Sequence, residues 1–363
     1  MRTQMARYAT RARRAALFAI AIALTAPAPA PQDPLPSWND GPAKRSVLEF
    51  VAAATTPGAP GFVPPAERIA VFDNDGTLWT EQPMYVQSAF VLDRLRVLAR
   101  EHPALLENRA VRRALGRDGG HGGTDGANGR EGGGSSRYEP SAELLRALAD
   151  AHAGWTVEQF ERAVLDWLAT ARHPRFHRPY TDLVYQPMLE LIRYLQANGF
   201  QTRIVSGGGA DFMRPWVDSV YGIPREQVVG STIVVQYELR DTVPVLVRTP
   251  RIGFIDDAGG KPVGIHRAIG RRPVFAAGNS DGDQQMLEYT AGGTRARLML
   301  LVHHDDCERE YCYDRESAVG RLDTALDEAR ARGWTIVSMR RDWRVVYPFE
   351  RGSAGRPEGG RRR

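Results

Sequence analysis

The segment RIAVF at residues 68–72 runs directly into DNDGT, and this junction constrains the fold more than any other feature of the sequence. A nearly continuous apolar run of this length is typical of a strand buried on both faces, as in a parallel sheet covered by helices. Asp73 and Asp75 lie two residues apart and therefore share one face of the strand end. Alone, two such carboxylates would repel each other, so the pair indicates a bound cation. The alternative is a solvated turn that merely ends the strand.

Three polar, glycine-bearing segments follow predicted strands along the chain. DNDGT follows RIAVF, SGGG follows QTRIV, and GNSDGD follows RPVFAA. Helical patterns alternate with these strands and with the later runs RLMLLVHH and WTIVSM, which predicts a doubly wound α/β fold with a parallel sheet. Ligands of such sheets bind beyond the carboxyl ends of the strands, so we expect the three segments to meet there.

Further elements are predicted around this sheet. STIVVQYEL and TVPVLVRTP predict a β-hairpin, and KRSVLEFVAAAT predicts a short amphipathic helix at 44–55. ESAVGRLDTALDEARARG predicts a long helix at 316–333.

The residues that follow the first strand suit a divalent cation. Mg²⁺ favours a few oxygen ligands together with waters and phosphate oxygens. Gly76 permits a tight turn without a side chain, and Thr77 adds a hydroxyl that can orient a carboxylate or a phosphate.

Four motifs together resemble one known family. DNDGTLW, IVSGG, the isolated Lys261 and GNSDGD occur in the order and rough spacing of the motifs of the haloacid dehalogenase (HAD) superfamily, and the resemblance covers about residues 66–348. Its phosphatases, especially the phosphoserine-phosphatase-like branch and its exported relatives, look most similar. The resemblance implies an α/β, three-layer Rossmann-like core with a parallel sheet and a helical C1 cap inserted between the first and second motifs.

The resemblance also implies catalytic roles. Asp73 matches the nucleophile that forms an aspartyl-phosphate. Asp75 matches the general acid/base, and because the dehalogenases of the superfamily typically lack this acid, it favours phosphoryl transfer to water. Lys261 matches the ammonium that neutralises Asp73, and only one other lysine, Lys44, occurs in the chain. The alternative for Lys261 is an exposed lysine in a turn.

Further roles follow from the same resemblance. Thr77, Ser206 and Gly207 match positions that bind or orient the phosphoryl group. The implied Mg²⁺ ligands are Asp73, Asp75 (through its carbonyl), Asn279 and Asp283. Asn279 stands where many members have an acid, which predicts weaker metal binding because an amide brings no charge. Asp281 is an alternative ligand, or a cap of the following helix.

Residues 82–180, largely helical in pattern, occupy the place of the cap, with 66–81 and 181–348 forming the catalytic core. Within the cap, residues 116–137 are a Gly-rich stretch typical of a flexible insertion. Phosphoserine-type enzymes carry an acid that contacts the substrate amine at the place where this chain has Gln82, with Glu81 beside it. Phosphoserine is therefore not the expected substrate. RHPRFHRPY offers Arg175, His177 or Arg178 to an anionic substrate, but a solvated linker is the preferred interpretation.

The first 30 residues have the layout of a secretory signal peptide: five arginines, an apolar run and a small-residue string. An uncleaved anchor is the alternative, whereas cleavage would leave no stable membrane insertion. Without those arginines, 43 basic residues face 43 acidic ones, so the precursor's excess of +5 gives no indication of a nucleic-acid partner. Residues 31–65 are interpreted as an N-terminal extension and linker, and 349–363 as a disordered basic tail.

Two smaller features stay open from the sequence. Cys307 and Cys312 can pair in an oxidising compartment, unless the segment is helical and turns them to different faces. The run from His303 to Asp306 suggests a second metal site, but adjacent strand side chains point to opposite faces, which favours a polar strand end.

The sequence therefore predicts an exported, Mg²⁺-dependent phosphomonoesterase that acts on a small phosphorylated metabolite. A non-catalytic phospho-ligand binding protein on the same fold is one alternative, motivated by Asn279. A phosphotransferase that passes the phosphoryl group to an alcohol is another. The sequence gives no indication of the oligomeric state.

Overall fold

The computed structural model describes residues 33–116 and 152–352, and the residues from Pro34 onward belong to one compact unit. The predicted leader, most of the Gly-rich insertion and most of the basic tail lie outside the described residues. No helix in the described ranges is long and apolar enough to cross a membrane.

An eight-stranded sheet forms the centre of the described part of the chain, in the order β4-β3-β2-β1-β5-β6-β7, with β8 also paired to β6. The strands are β1 (Ile69–Phe72), β2 (Gln201–Gly209), β3 (Val228–Arg240), β4 (Val243–Phe254), β5 (Phe275–Gly278), β6 (Leu298–Asp305), β7 (Cys312–Tyr313) and β8 (Thr335–Ser338). The β2-β1-β5-β6 pairs are parallel, as are β2 with β3 and β6 with β8. Only the β3–β4 and β6–β7 pairs in this sheet are antiparallel. The expected α/β class with a mostly parallel sheet is confirmed.

Helices cover both faces of this sheet. They are α1 (Pro42–Thr55), α2 (Val86–Glu101), α3 (Arg109–Ala114), α4 (Val157–Thr170), α5 (Gln186–Ala197), α6 (Ala210–Met213), α7 (Val217–Tyr221), α8 (Gly260–Ile269), α9 (Gln284–Ala291), α10 (Thr324–Arg332) and α11 (Met339–Asp342). The predicted helix at 316–333 is shorter than expected, since only its second half is helical.

Strand β1 shows why three layers form. All four of its residues are buried, and alternate side chains enter different apolar clusters. Ala70 and Phe72 pack with α1 and α5, whereas Ile69 and Val71 pack with α8, α9 and α10. A strand that is apolar on both faces therefore needs a helical layer on each side.

The segment before β1 belongs to the first of these layers. Helix α1 spans the predicted 44–55 and buries Phe50, whose ring lies 5.6 Å from Phe200 and 6.0 Å from Phe275. The predicted N-terminal extension therefore contributes directly to the core of the sheet.

Helices α2, α3 and α4 lie between β1 and β2, in the stretch predicted as a cap. Phe90 of α2 contacts Phe160 of α4 and Phe212 of α6, at ring separations of 5.9 and 5.6 Å. The predicted hairpin forms from β3 and β4, and β4 also contacts the start of α4 through the backbone pair of Arg248 and Trp155. Helices α2 and α4 and the hairpin thus meet over the end of the sheet that carries the polar segments.

Candidate active site

The carboxyl ends of β1, β2 and β5 bring the predicted polar segments together. Strand β1 lies between β2 and β5, so the residues that follow these strands are neighbours at one edge of the sheet. Asp73, Asp75, Ser206, Gly207 and Lys261 all line one cavity there. Side chains separated by up to 188 positions thereby meet within hydrogen-bonding distance.

Lys261 links two buried carboxylates. Its Nζ donates to Oδ1 of Asp73 at 2.6 Å, to Oδ1 of Asp283 at 2.5 Å and to the carbonyl of Val205 at 3.2 Å. Lys261 is only 2% exposed. Burial alone would lower the pKa of Lys261, but Asp283 and Asp73 together raise it above its usual value. The side chain is therefore held as an ammonium, and the alternative of an exposed turn lysine is excluded.

The two carboxylates of the first motif lie in a low-dielectric site. Burial raises the pKa of Asp73, and repulsion from Asp283 adds to the rise while Lys261 opposes it. Burial also raises the pKa of Asp75 to about 6, although Nε1 of Trp79 donates to Asp75 Oδ1 at 2.8 Å. A group that titrates near neutral pH can both give and take a proton, as a general acid/base must.

An amide held by two partners stands at the fourth motif. Asn279 accepts a hydrogen bond on Oδ1 from the Thr77 hydroxyl at 3.1 Å and donates from Nδ2 to Glu81 at 2.7 Å. Glu81 also accepts from the Tyr313 hydroxyl at 2.7 Å. These contacts orient the amide, so its oxygen and its nitrogen face different partners. Thr77, which we expected beside the phosphoryl group, does not line the cavity and instead orients Asn279.

Two glycines make room for this arrangement. Gly76 has φ +70°, and a Cβ there would lie 2.1 Å from Asn279 Nδ2 and 2.3 Å from Glu81 Oε1. Gly320 has φ +65°, and a Cβ there would lie 1.8 Å from the same Glu81 oxygen. Burial raises the pKa of Glu81 well above its usual value, and the Tyr313 contact opposes this rise. The sequence shows Glu81 only as an acid just after the first motif. No pattern in the sequence indicates that Tyr313 is its partner.

The acids of the fourth motif serve the fold in two ways. Asp283 uses Oδ1 for Lys261, and its Oδ2 accepts from the backbone N–H groups of Asn279 and Ser280 at 2.9 and 3.0 Å. Both of its oxygens are therefore engaged within the protein, and its predicted role as a metal ligand stays a prediction. Asp281 accepts from the backbone N–H groups of Asp323 and Ala325, both at 2.9 Å. It thus caps α10 and not the helix that follows it, and its alternative role as a metal ligand stays a prediction.

A divalent cation fits the remaining donors. Lys261 engages only Oδ1 of Asp73, and Oδ2 is available to a cation or a phosphoryl group. With the carbonyl of Asp75 and the amide oxygen of Asn279, which also accepts the hydrogen bond from Thr77, this makes a hard, oxygen-only set with one carboxylate. Mg²⁺ is often held by one or two carboxylates plus waters and phosphate oxygens. Within the described ranges, no group of three or more His, Cys, Asp or Glu side chains is arranged to hold a metal by itself.

The second motif supplies hydroxyl and backbone groups. Ser206 is 1% exposed, and its Oγ accepts from the backbone N–H of Gly208 at 3.1 Å. The carbonyl of Gly207 accepts from Ser231, and Gly209 donates its N–H to Gln87 of α2 at 2.8 Å. The turn after β2 is therefore tied both to β3 and to the helix that overlies it.

The cavity above these groups has a volume of about 450 Å³. Its floor is formed by the motif residues, and its wall comes from α2, α4, α6 and the hairpin. Gln87, Asp211 and Arg248 were missed by sequence reasoning, because they lie on three separate elements and form no local pattern. Gln82 does not line the cavity; its amide instead donates to Ser317 Oγ and the Val319 carbonyl, at 3.1 and 2.9 Å.

The remaining candidates play structural roles. Arg175 donates to the carbonyls of Glu310, Cys307 and Glu308, which supports the linker interpretation of its segment. Cys307 and Cys312 form a disulfide in a non-helical loop.

The polar end of β6 holds no second metal site within the described residues. His304 is buried and contacts the carbonyl of Gly76 at 2.7 Å, while His303 lies on the other side against Asp314. His304 therefore supports the loop of the first motif, and His303 does not take part in this contact.

Residues 70–288 match the sequence model of the family described as haloacid dehalogenase-like hydrolase. That range covers more than half of the chain and contains all four motifs. No curated protein matches the chain significantly.

Several solved structures are similar to the chain at low sequence identity. One is a protein of unknown function from Bordetella pertussis Tohama I, with 15% identity and a TM-score of 0.43, covering 75% of this chain and 98% of that one. Another, from Anaerococcus prevotii DSM 20548, has 15% identity and a TM-score of 0.47, with coverages of 81% and 90%. A phosphoserine phosphohydrolase-like protein from Francisella tularensis subsp. tularensis SCHU S4 has 16% identity and a TM-score of 0.38, with coverages of 80% and 100%.

Proposed function

Since the chain belongs to the haloacid dehalogenase-like hydrolase family, we propose that it hydrolyses phosphomonoesters through an aspartyl-phosphate on Asp73. The contact of Lys261 with Asp73 carries this proposal, because a buried ammonium at 2.6 Å orients the carboxylate and offsets the charge that develops during the transfer. Asp75 faces the same cavity from two residues away. Nucleophile, acid/base and cation thus meet in one cleft.

In the first step, Oδ2 of Asp73 attacks the phosphorus of the ester. The bond from phosphorus to the ester oxygen breaks, and Asp75 gives its proton to that oxygen, so the alcohol leaves uncharged. The Ser206 hydroxyl and the backbone around Gly207 provide hydrogen bonds to the phosphoryl oxygens. The raised pKa of Asp75, about 6, keeps a fraction of it protonated near neutral pH.

In the second step, the Asp75 carboxylate takes a proton from a water molecule. That water attacks the phosphorus of the aspartyl-phosphate, and inorganic phosphate leaves while the Asp73 carboxylate is restored. Asp73, the carbonyl of Asp75 and the amide oxygen of Asn279 would hold Mg²⁺, which would supply positive charge that offsets the charge of the phosphoryl group. Lys261 stays protonated throughout because Asp73 and Asp283 both face it.

We also propose that the chain acts outside the cytoplasm. Its N-terminal layout of arginines, apolar run and small residues supports export. The Cys307–Cys312 disulfide supports the same location, since disulfides persist in oxidising compartments.

Phosphate release from p-nitrophenyl phosphate by the purified chain, with Mg²⁺ or with chelator, tests the proposed hydrolysis. We expect turnover with Mg²⁺, and its loss in Asp73→Asn but not in the matched control Asp218→Asn. An added alcohol that captured the phosphoryl group in preference to water would identify a phosphotransferase instead. Folded protein that binds phosphate but turns over nothing would favour the binding-protein alternative.

A further inference from the structure

The wall of the cavity differs in chemistry from its floor. Aromatic and aliphatic side chains from the cap helices, α6 and the hairpin line the wall, among them Phe90, Phe160, Phe212, Ile233 and Ile252. At about 450 Å³, the cavity is much larger than a phosphoryl group needs and falls within the range of small-molecule sites, roughly 300–1,000 Å³. The leaving group of a bound ester would therefore lie against apolar surface.

The three phenyl rings form a compact cluster at this wall. The ring of Phe90 lies 5.9 Å from that of Phe160, edge to face, and 5.6 Å from that of Phe212. All three residues are at most 5% exposed, so the cluster is held by the core and is already formed before a ligand binds. A rigid aromatic surface favours an apolar partner because little side-chain entropy is lost on binding.

The positive charges of the cavity are already paired. Lys261 and Arg248 are the only described lysine and arginine in its lining. Lys261 is bound to Asp73 and Asp283, and Arg248 is bound to Asp211 and stacks 3.9 Å above the Phe160 ring. No charge of this described lining therefore remains to bind a second anion next to the phosphoryl group.

Arg248 carries one buried donor without a partner in the described part of the chain. It is 7% exposed, and its Nε has no hydrogen-bond partner within the described part of the chain. Because Asp211 balances the guanidinium charge, this donor suits a neutral acceptor better than a carboxylate. The exposed acid Asp257 also lines the cavity and adds repulsion against an anion.

We propose that this site selects phosphomonoesters whose alcohol part is uncharged and apolar or aromatic, and discriminates against alcohols that carry a second anionic group. This selectivity rests on the proposed phosphatase function. It excludes phosphoserine and phosphoglycerate-like esters as preferred substrates, since both place a carboxylate against the phenyl cluster.

Three esters with alkyl leaving groups of similar basicity test the selectivity: propyl phosphate, 3-phenylpropyl phosphate and 3-(4-carboxyphenyl)propyl phosphate. We expect kcat/KM to rise at least about tenfold from propyl to phenylpropyl and to fall at least about tenfold when the carboxylate is added. Calorimetric Kd values of the three matching phosphonates, measured with Mg²⁺, should follow the same order without any turnover.

Substitutions in the wall give a sharper test. For each variant, the ratio of kcat/KM between two of the esters is compared with the same ratio for the wild type. Asp211→Asn leaves the Arg248 charge unbalanced and should raise the ratio of carboxylated to phenylpropyl ester at least about fivefold. Ile252→Asn, at a side chain that is 39% exposed, should lower the ratio of phenylpropyl to propyl ester. Leu239→Ser, on the exposed part of the hairpin outside the cavity, should leave both ratios unchanged.

Two failures are distinguishable. Turnover of all three esters with equal or reversed preference would overturn the substrate class while the phosphatase function stands. Turnover of none would overturn the function, and the phosphonate Kd values would then decide the selectivity by themselves: the expected order supports it, and equal or reversed affinities reject it.

Discussion

The floor and the wall of the cavity are built on different principles. On the floor, buried charged and amide groups hold one another: Lys261 binds two carboxylates, and Glu81 holds Asn279. On the wall, phenyl rings pack by shape, and the ion pair of Arg248 with Asp211 is the main polar contact. Under the proposed function, a floor of this kind would set the reaction because each of its groups depends on a neighbour, whereas a packed wall would select among alcohols without altering the chemistry.

The base of the hairpin lies between these two regions. A buried acid there is neither held by polar partners, as on the floor, nor replaced by an apolar side chain, as on the wall. Asp256 is fully buried, and neither of its carboxylate oxygens has a hydrogen-bond partner within the described residues. Burial raises the pKa of Asp256 to about 7, against the attraction of Lys261. Ionising a buried acid that has no partner costs free energy. The titration of Asp256 therefore measures how far the fold accepts a buried charge away from the floor.

Lys261→Met gives the largest expected effect and breaks the floor directly. Without the ammonium, Asp73 and Asp283 repel each other, and phosphate release should fall by about a thousandfold. Steady-state rates with p-nitrophenyl phosphate and Mg²⁺ measure this loss, and a thermal melt checks the fold. Lys44→Met is the matched control because Lys44 is the chain's other lysine and pairs with Asp40 on the first helical layer. A variant at Lys261 that kept full activity would contradict the proposed mechanism.

Asp256→Asn should change the pH dependence of stability. The folded chain keeps this proton up to about pH 7, whereas the unfolded chain releases it near pH 3.8. The folded state therefore binds more protons between these values, so the free energy of unfolding falls as the pH rises through them. Removing the group should abolish up to about 3 kcal/mol of that fall between pH 4 and pH 8.

Urea titrations at several pH values measure this difference between wild type and variant. Asp218→Asn, at an exposed acid outside the cavity, is the control and should leave the pH profile of the wild type in place. Parallel profiles for wild type and Asp256→Asn would show that Asp256 is ionised in the folded chain.

Gly320→Ala tests how tightly the floor is packed around Glu81. A methyl group there would lie 1.8 Å from Glu81 Oε1, whereas Gly333, with a similar φ of +67°, has no neighbour within 4 Å of an added Cβ. Both substitutions carry the conformational cost of a left-handed backbone, about 1 kcal/mol, and only Gly320→Ala adds a steric one. We expect Gly320→Ala to lower the free energy of unfolding by about 2 kcal/mol more than Gly333→Ala, as measured by chemical denaturation. Equal losses would show that Glu81 moves aside freely.

Glu81→Gln gives the smallest expected effect. The amide keeps one acceptor oxygen for Asn279 and Tyr313 but replaces the second carboxyl oxygen with an N–H₂ group, so the orientation of the Asn279 oxygen should loosen. Partners of this kind typically change metal affinity by about ten- to a hundredfold, and we expect the lower end here. Calorimetric titration with Mn²⁺ measures the affinity independently of turnover, and Glu67→Gln, at an acid outside the cavity, is the control. An unchanged Mn²⁺ affinity would restrict Glu81 to a structural role.

The local motifs of the floor were readable because each lies at the end of an apolar run. The family match confirms the expected HAD fold and hydrolase class, and the structure brings Asp73, Asp75 and Lys261 together as the motifs predict. The contacts of Asp283 and Thr77 were harder to predict from the sequence, because adjacent strand ends leave several partners within reach. The motif spacing did not indicate that Asp283 binds Lys261 with one oxygen and two backbone N–H groups with the other.

By itself, the sequence predicted the parallel sheet and the sheet edge at which the polar motifs meet, since hydrophobic periodicity and motif spacing are local properties. The role of Asp73 as nucleophile came from the family resemblance and stays a prediction. Only the tertiary structure decided which residues form the wall and how Asn279 is oriented. Phe90, Phe160, Phe212 and Arg248 come from four elements far apart in the chain, and no local pattern links them. Their meeting depends on how helices and hairpin pack over the sheet, because burial of apolar surface acts between whole elements.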